Sequence, residues 1–309
     1  MRILFGNRQQ KWQGGDIMKM RLFAKSLRKL GHEVTEVCPA EKVDYSKYDI
    51  IHAYNVNYPW TRYFMEKARK HKKPFVISTI HFDNNAKLSK SEQKENIKNA
   101  NKLIMFSSKE QIAIQNFLNI KIPASKSEYL INGVGSKFKD VNSWNKRDIS
   151  LLMVVNEYHP RKNILRGMEL ANKMRLNLII IGKRNPLMSE YNKKCLVSSG
   201  KFVRLIQERL SHAQLAHFYN RSKVVLCIGI EDPFPNPIYE ATECGCNVVI
   251  SNTTYSNIDS PNCIYINPRN KPAIESAIID LIQGKRNRVK FDSYLKQAKE
   301  LVRIYQNII

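Results

Sequence analysis

Short apolar runs alternate with segments of helical period along almost the whole chain. Residues 2–5 read as a strand. Ile17, Met20, Ala24, Leu27 and Leu30 then recur at helical spacing, and Gly31 ends that helix. Further strands are predicted over 34–37, 50–53, 75–79 and 103–106, with helices over 63–72 and 108–118. Alternation of this kind predicts the α/β class: a parallel sheet covered by helices on both faces.

The pattern pauses over 137–148, a polar stretch without clear period that reads as a linker. It then restarts, with strands over 150–155, 178–181, 202–205, 224–228 and 247–250. Helices are predicted over 163–174, 211–220, 237–244 and 272–282, and a basic helix near 291–309 closes the chain. Two successive doubly wound, Rossmann-like units imply a cleft between them, with ligands at the carboxyl ends of the strands. The expected domains are 1–143 and 144–290, followed by the helix 291–309.

Composition agrees with two cores. The chain has 309 residues, 43% of them hydrophobic, enough for two domains of roughly 150 residues each. No apolar run exceeds strand length, and the opening residues are too short a hydrophobic segment for a signal peptide. A cytoplasmic location is therefore expected. The six cysteines are scattered; Cys244 and Cys246 are too close for an ordinary disulfide and lack a second pair of metal ligands. They read as reduced thiols. The net charge of +24 is spread along the chain, with a local peak over 67–73. It fits a lysine-rich solvated surface or a peripheral contact with an anionic membrane. Specific nucleic-acid binding is not expected, because no aromatic-plus-basic motif of the known modules is present.

The most informative stretch is 231–246, which follows the strand over 224–228. Asn236 can cap a helix and Pro237 can occupy its first position, while Gly245 can end it in a left-handed conformation. Asp232 then lies in the loop before the helix and Glu240 about one turn inside it. A carboxylate there can accept from two vicinal hydroxyls, such as those of a ribose, or it can simply complement the helix dipole. Gly14 and Gly15 lie between the first strand and its helix, where backbone can approach a phosphate or sugar, or where a simple turn suffices. His81 follows a strand, a position suited to a ligand or to packing. Lys162 lies at a strand–helix junction, where a lysine can meet a diphosphate or plain solvent.

Residues 232–241 resemble the motif of two acidic residues separated by seven positions found in glycosyltransferase family 4, whose members have the GT-B fold. The order acidic–x–Phe–x–x–Pro–x–x–Glu–Ala, then Cys–Gly, matches without a gap. Gly14–Gly15, the Ser–Thr–Ile–His of 78–81, the Asn–Gly–Val of 132–134 and the stretch 154–163 agree in the same order, so the resemblance covers about 2–283. It implies a GT-B architecture of two Rossmann-like domains facing across a cleft, with the final helix packing back toward the first. It also implies transfer with retention from a nucleotide-diphosphate sugar of UDP or GDP type to a glycan or lipid-linked acceptor, with no cofactor and no metal. Glu240 would hold the ribose, Lys162 and Arg161 the diphosphate, Asp232 and His81 the transferred sugar. Gly14 and Gly15 would line the diphosphate.

The chain departs from the family at three places. Glu157 stands where the family has an arginine, which leaves compensation to Arg161 or another base. Pro233 and Pro235 replace glycines and have no amide to donate, which leaves Phe234 and Asn236 as backbone donors in that loop. The first acidic residue is Asp232, one methylene shorter than glutamate. Two other readings remain open at this point: a GT-B nucleotide-sugar epimerase, and a non-catalytic basic protein that binds nucleic acid or an anionic surface.

Overall fold

The computed structural model describes residues 1–8, 14–80 and 86–309. The chain divides into two compact units, Met1–Gly133 with Asp292–Ile309, and Val134–Phe291.

The first unit is a parallel sheet of β1 (Arg2–Gly6), β2 (Glu33–Val37), β3 (Ile50–Tyr54), β4 (Phe75–Ser78), β5 (Lys102–Met105) and β6 (Ser127–Tyr129), in the order β2-β1-β3-β4-β5-β6. Both faces are covered, which is why β3 and β4 are buried at every position instead of alternating. On one face Leu4, Ile51, Ile77 and Leu103 pack with Phe64 of α2 (Pro59–Lys70), Ile97 of α3 (Lys90–Asn99) and Ile114 of α4 (Ser108–Leu118). The other face carries Phe5, His52 and Tyr54 beneath α1 (Gly15–Lys29) and the last helix, α10 (Tyr294–Gln306). His52 is wholly buried there. One ring nitrogen lies 2.5 Å from Tyr305 Oη of α10 and the other 3.0 Å from Ser78 Oγ, so the final helix is tied into the sheet by a satisfied polar contact. Burial pushes the His52 ring well below its ordinary value, and a neutral imidazole can both donate and accept in such a bridge.

The second unit contains β7 (Ile149–Glu157), β8 (Leu178–Lys183), β9 (Val203–Ile206), β10 (Ser222–Cys227), β11 (Asn247–Ser251) and β12 (Cys263–Ile266), again all parallel, in the order β12-β11-β10-β7-β8-β9. One face packs on α5 (Ile164–Met174), α6 (Ser189–Val197) and α9 (Lys271–Ile282) through Met168, Cys195 and Ile278. The other packs on α7 (His212–Arg221) and α8 (Asn236–Glu243). Burial of each large apolar side chain contributes about 1.5–3 kcal/mol. The strand order reverses between β7 and β10.

The structure corrects two expectations. The stretch 137–148, read as a linker, lies inside the second unit, which begins at Val134. Most of its polar residues face solvent, but Arg147 is buried and donates to Asp140 (3.0 Å) and to the carbonyls of Tyr219 (3.0 Å), Ser222 (2.7 Å) and Cys244 (2.6 Å), which ties the stretch into the unit. The helix after β10 begins at Asn236, so Pro235 is its cap residue, and Asn236 and Pro237 are its first two helical positions. All six cysteines are free thiols. Among the described residues no helix is long and apolar enough to cross a membrane.

Candidate functional site

The loops that follow β7 and β10 meet at the carboxyl edge of the second sheet, at its topological switch point. After β7 the chain makes a tight turn, Pro160–Lys162, opened by the His159 ring, which accepts from the Arg161 amide at 3.2 Å. Asn163 then adopts a left-handed conformation, φ +58°. Its side-chain amide donates to the carbonyls of Ile228 (3.1 Å) and Pro268 (2.9 Å), joining three loops through one residue. The Arg161 carbonyl accepts from the Ile230 amide at 2.7 Å.

This clamp brings Lys162 and Asp232 together. Nζ of the lysine lies 2.5 Å from Oδ2 of the aspartate, although 70 positions separate them. Their side chains are only 12% and 23% exposed, so the contact is screened less than a surface pair. The Lys162 ammonium thus already has a partner within the chain. Arg161 Nη2 lies 3.7 Å from Glu157 Oε1, and its Nε is buried without a hydrogen bond. The Glu157 carboxylate is thus answered by Arg161.

The two prolines of the β10–α8 loop stiffen it, and its carbonyls anchor it. Pro233 O accepts from the Tyr255 amide (2.7 Å) and from Thr254 Oγ1 (2.8 Å), and Ile230 O accepts from Thr253 Oγ1 (2.9 Å). The Phe234 ring stacks on Tyr239 at 4.7 Å, and Tyr239 meets Phe291 edge-on at 4.7 Å. Phe234 is thus packed into the wall of the loop, and Asn236 opens the helix beside it.

Glu240 lies one turn into α8. Tyr219 of α7 donates its phenol to Oε2 at 3.0 Å, and among the described residues no cation pairs with this carboxylate. Glu240 keeps partial solvent access, yet protein surrounds it closely. Burial pushes its carboxyl up to about 7, against the downward pull of the Tyr219 bond. The far end of α8 is fixed by the Arg147–Asp140 contact. Asp140 also takes Arg288 (2.8 Å) and Lys285. Burial raises the Asp140 carboxyl, but the three cations outweigh it and leave it below the ordinary range. Gly245, the residue after the helix cap, has φ +78°, and a Cβ there would lie 2.6 Å from the Asp140 carboxylate carbon.

In the first unit, Gly14 is the cap residue of α1 and has φ −100°, so turn conformation does not demand a glycine. Close approach does. A Cβ would lie 2.1 Å from Arg8 Nη2 and 2.5 Å from Asp16 Oδ1, because the Arg8–Asp16 ion pair (2.8 Å) lies against it. A Cβ on Gly15 would meet nothing within 4 Å. His81 lies outside the described residues. Below this edge, Glu110 is buried and accepts from Thr79 Oγ1 (2.6 Å) and the Phe106 amide (2.7 Å). Lys19 Nζ sits 4.1 Å from the centre of the Phe106 ring, and burial pushes its amine down to about 8, against Glu110.

Of the residues singled out from sequence, Lys162 and Asp232 form one contact, Arg161 belongs to the same clamp, and Phe234, Asn236 and Glu240 follow on the loop and helix beside it. Gly14 and Gly15 belong to the other unit. Sequence reading missed Asn163, Tyr219 and Thr254 on this edge and Arg8 in the first unit. A strand followed by a Pro–x–x–Asn turn is a signal for Asn163; nothing local marks Tyr219.

Residues 150–284 match the family model described as Glycosyl transferases group 1. No curated protein matches the chain. Among solved structures it is similar to sucrose-phosphate synthase from Thermosynechococcus elongatus, with a TM-score of 0.82 at 16% identity over 99% of this chain and 98% of that one. It is also similar to Anabaena HepE in complex with UDP and glucose, with a TM-score of 0.74 at 15% identity over 99% and 100%. A third is UDP-GlcNAc 2-epimerase of Methanocaldococcus jannaschii, with a TM-score of 0.61 at 13% identity over 99% and 99%. At such identities the likeness establishes the fold, which is GT-B. Family pattern and fold together support a GT-B glycosyltransferase.

Proposed function

We propose that the protein transfers a sugar, with retention of anomeric configuration, from a nucleotide-diphosphate sugar to a glycan or lipid-linked acceptor. The observation that carries this reading is the Lys162–Asp232 contact beside Glu240 at the switch point of the unit that matches the group 1 family. Glu240 accepts from the ribose hydroxyls. Lys162, helped by Arg161, takes up the charge that grows on the departing diphosphate, and the start of α5 adds its dipole. Asp232 positions the transferred sugar. In the step itself the bond from the anomeric carbon to the diphosphate oxygen breaks. The acceptor oxygen bonds that carbon on the same face, and its proton passes to the departing phosphate oxygen. This scheme places charge stabilisation on side chains and a helix end and routes no step through a metal. The first unit is assigned the acceptor, with Gly14, Gly15 and His81 carried over by the resemblance.

HepE, which shares the fold, is described with UDP, and the donor here is assigned to the UDP or GDP type. A peripheral contact with an anionic membrane is supported by Leu187 and Val197, which are 85% and 87% exposed at the two ends of α6, next to the exposed Lys193 and Lys194.

The test is a calorimetric titration with UDP, GDP and their sugar conjugates, alongside Glu240→Ala. Selective binding of one nucleotide, lost in the variant, is expected. Conversion of the donor without any acceptor would turn the reading to an epimerase. Salt-sensitive binding of nucleic acid, indifferent to Glu240→Ala and with no nucleotide bound, would overturn the enzymatic reading altogether.

A further inference from the structure

We propose that Tyr219 is a positioning residue for the nucleotide sugar: its phenol holds the Glu240 carboxylate in the one orientation that leaves its remaining acceptor sites for two vicinal hydroxyls. The inference rests on the donor-site reading and deepens it. Tyr219 is wholly buried on α7 and fixed at both ends. Its carbonyl accepts from Arg147 Nη1 (3.0 Å) and Cys246 Sγ (3.0 Å), and its ring meets Phe138 edge-on at 5.8 Å. Its hydroxyl donates to Glu240 Oε2, and that is the carboxylate's one hydrogen bond within the described protein. A carboxylate offers about four lone-pair sites, so the phenol occupies one and leaves the rest in a fixed plane. A phenol donor suits this task, because an arginine or lysine in its place would bring a charge that also attracts the diphosphate.

The same contact makes binding depend on the proton held by Glu240. Three groups lie close enough to affect it: the Tyr219 phenol from α7, the Cys227 thiol from β10, and Cys244 at the end of α8. Burial raises all three, so each is neutral through the physiological range. Beyond Cys227 lies the Lys162–Asp232 pair, which is internally compensated. The burial that raises Glu240 to about 7 is thus opposed chiefly by the Tyr219 bond. The ionised carboxylate is the form that accepts from the phenol and from both ribose hydroxyls. Nucleotide binding is therefore expected to expel a proton near neutrality and to weaken about tenfold per pH unit below the Glu240 midpoint.

The experiment compares wild type with Tyr219→Phe and Glu240→Gln in two readouts. The first uses protein alone. A carboxyl raised from 4.5 to about 7 in the fold holds its proton after the unfolded chain has released it, so stability falls as pH rises across that window. Relative to Glu240→Gln, which lacks this slope, wild type should show it, and Tyr219→Phe should extend it roughly one pH unit higher. The second readout is affinity by calorimetry from pH 5.5 to 9 for UDP and for GDP, whichever the wild type binds. Tyr219→Phe should weaken binding about tenfold at pH 7 and markedly less at pH 9, where the carboxylate is ionised in both proteins. In a Glu240→Gln background Tyr219→Phe should have no pH-dependent effect. An unmoved stability window, or a loss of affinity uniform in pH, would reduce Tyr219 to a packing residue. Absence of both UDP and GDP binding in all variants would sink the donor reading, while the shift in the stability window would still decide the Tyr219 contact. If Tyr219→Phe fails to fold, the wild-type slope against Glu240→Gln and proton release on binding of that nucleotide, from titrations in buffers of different ionisation enthalpy, decide the question. Absence of both would overturn the proposal.

Discussion

Two glycines that follow helices provide an internally controlled test of what fixes the base of the candidate site. Gly31 and Gly245 have nearly the same left-handed conformation, φ +83° and +78°. Replacing either by alanine places a Cβ in a conformation that costs about 1–2 kcal/mol, partly offset by the lower entropy of the unfolded chain. A net loss of about 1 kcal/mol is expected for Gly31→Ala, because its added Cβ meets nothing within 4 Å. At Gly245 the Cβ falls 2.6–2.7 Å from all three carboxylate atoms of Asp140, which must move. Asp140 compensates Arg147, whose side chain is wholly buried, and removing one partner of a buried pair costs about 3–5 kcal/mol. Partial retention of the contact brings the added term to about 2–4 kcal/mol, so Gly245→Ala should lose about 3–5 kcal/mol in total. Hydrogen exchange followed by mass spectrometry over a urea series reads the two units separately, which avoids assuming that they unfold together. Equal losses in the two variants would refute the reasoning, for it would mean that Asp140 yields to the methyl group without consequence.

Two other outcomes follow from contacts described above. Lys162→Ala should lower kcat/KM for transfer about 10²–10³-fold, the loss typical of one charge-stabilising group, with acceptor KM little changed; initial-rate kinetics with both substrates varied will show it. Tyr305→Phe leaves one ring nitrogen of the buried His52 without its partner and should cost the first unit about 1–3 kcal/mol, read as a lower urea midpoint with unchanged slope.

Much of the fold was legible because a parallel sheet covered on both faces makes unbroken apolar runs. The strands at 50–53, 75–79 and 247–250 announce themselves in this way. The elements that escaped are those whose stability is not written in apolar period. Helix α3 carries Ile97 as its one buried apolar residue, and its start is fixed instead by a reciprocal cap between Ser89 and Glu92. Strand β6 is three residues long, too short for alternation to be seen. The mistaken linker has a different cause: pattern reading equates charge with exposure, and Asp140 and Arg147 are charged but enclosed. At the candidate site, motif spacing singled out Lys162, Asp232 and Glu240. It did not reveal that the first two touch each other, nor that Tyr219 reaches the third, because one contact joins two separate loops and the other joins α7 to α8. The reason expected for Gly14 also differed. Its space is taken by Arg8 and Asp16 of the chain itself.

The side chain of Asn163 joins the turn after β7, the end of β10 and the carbonyl of Pro268. Backbone that would otherwise need ordering by a phosphate is thus held by the protein's own amide. The entropy of arranging these loops belongs to folding and not to association, so any ligand of this edge would meet it already rigid. The shape and charge of this edge are accordingly set in advance, and the residue that sets them, Asn163, does so through two carbonyls of its own chain.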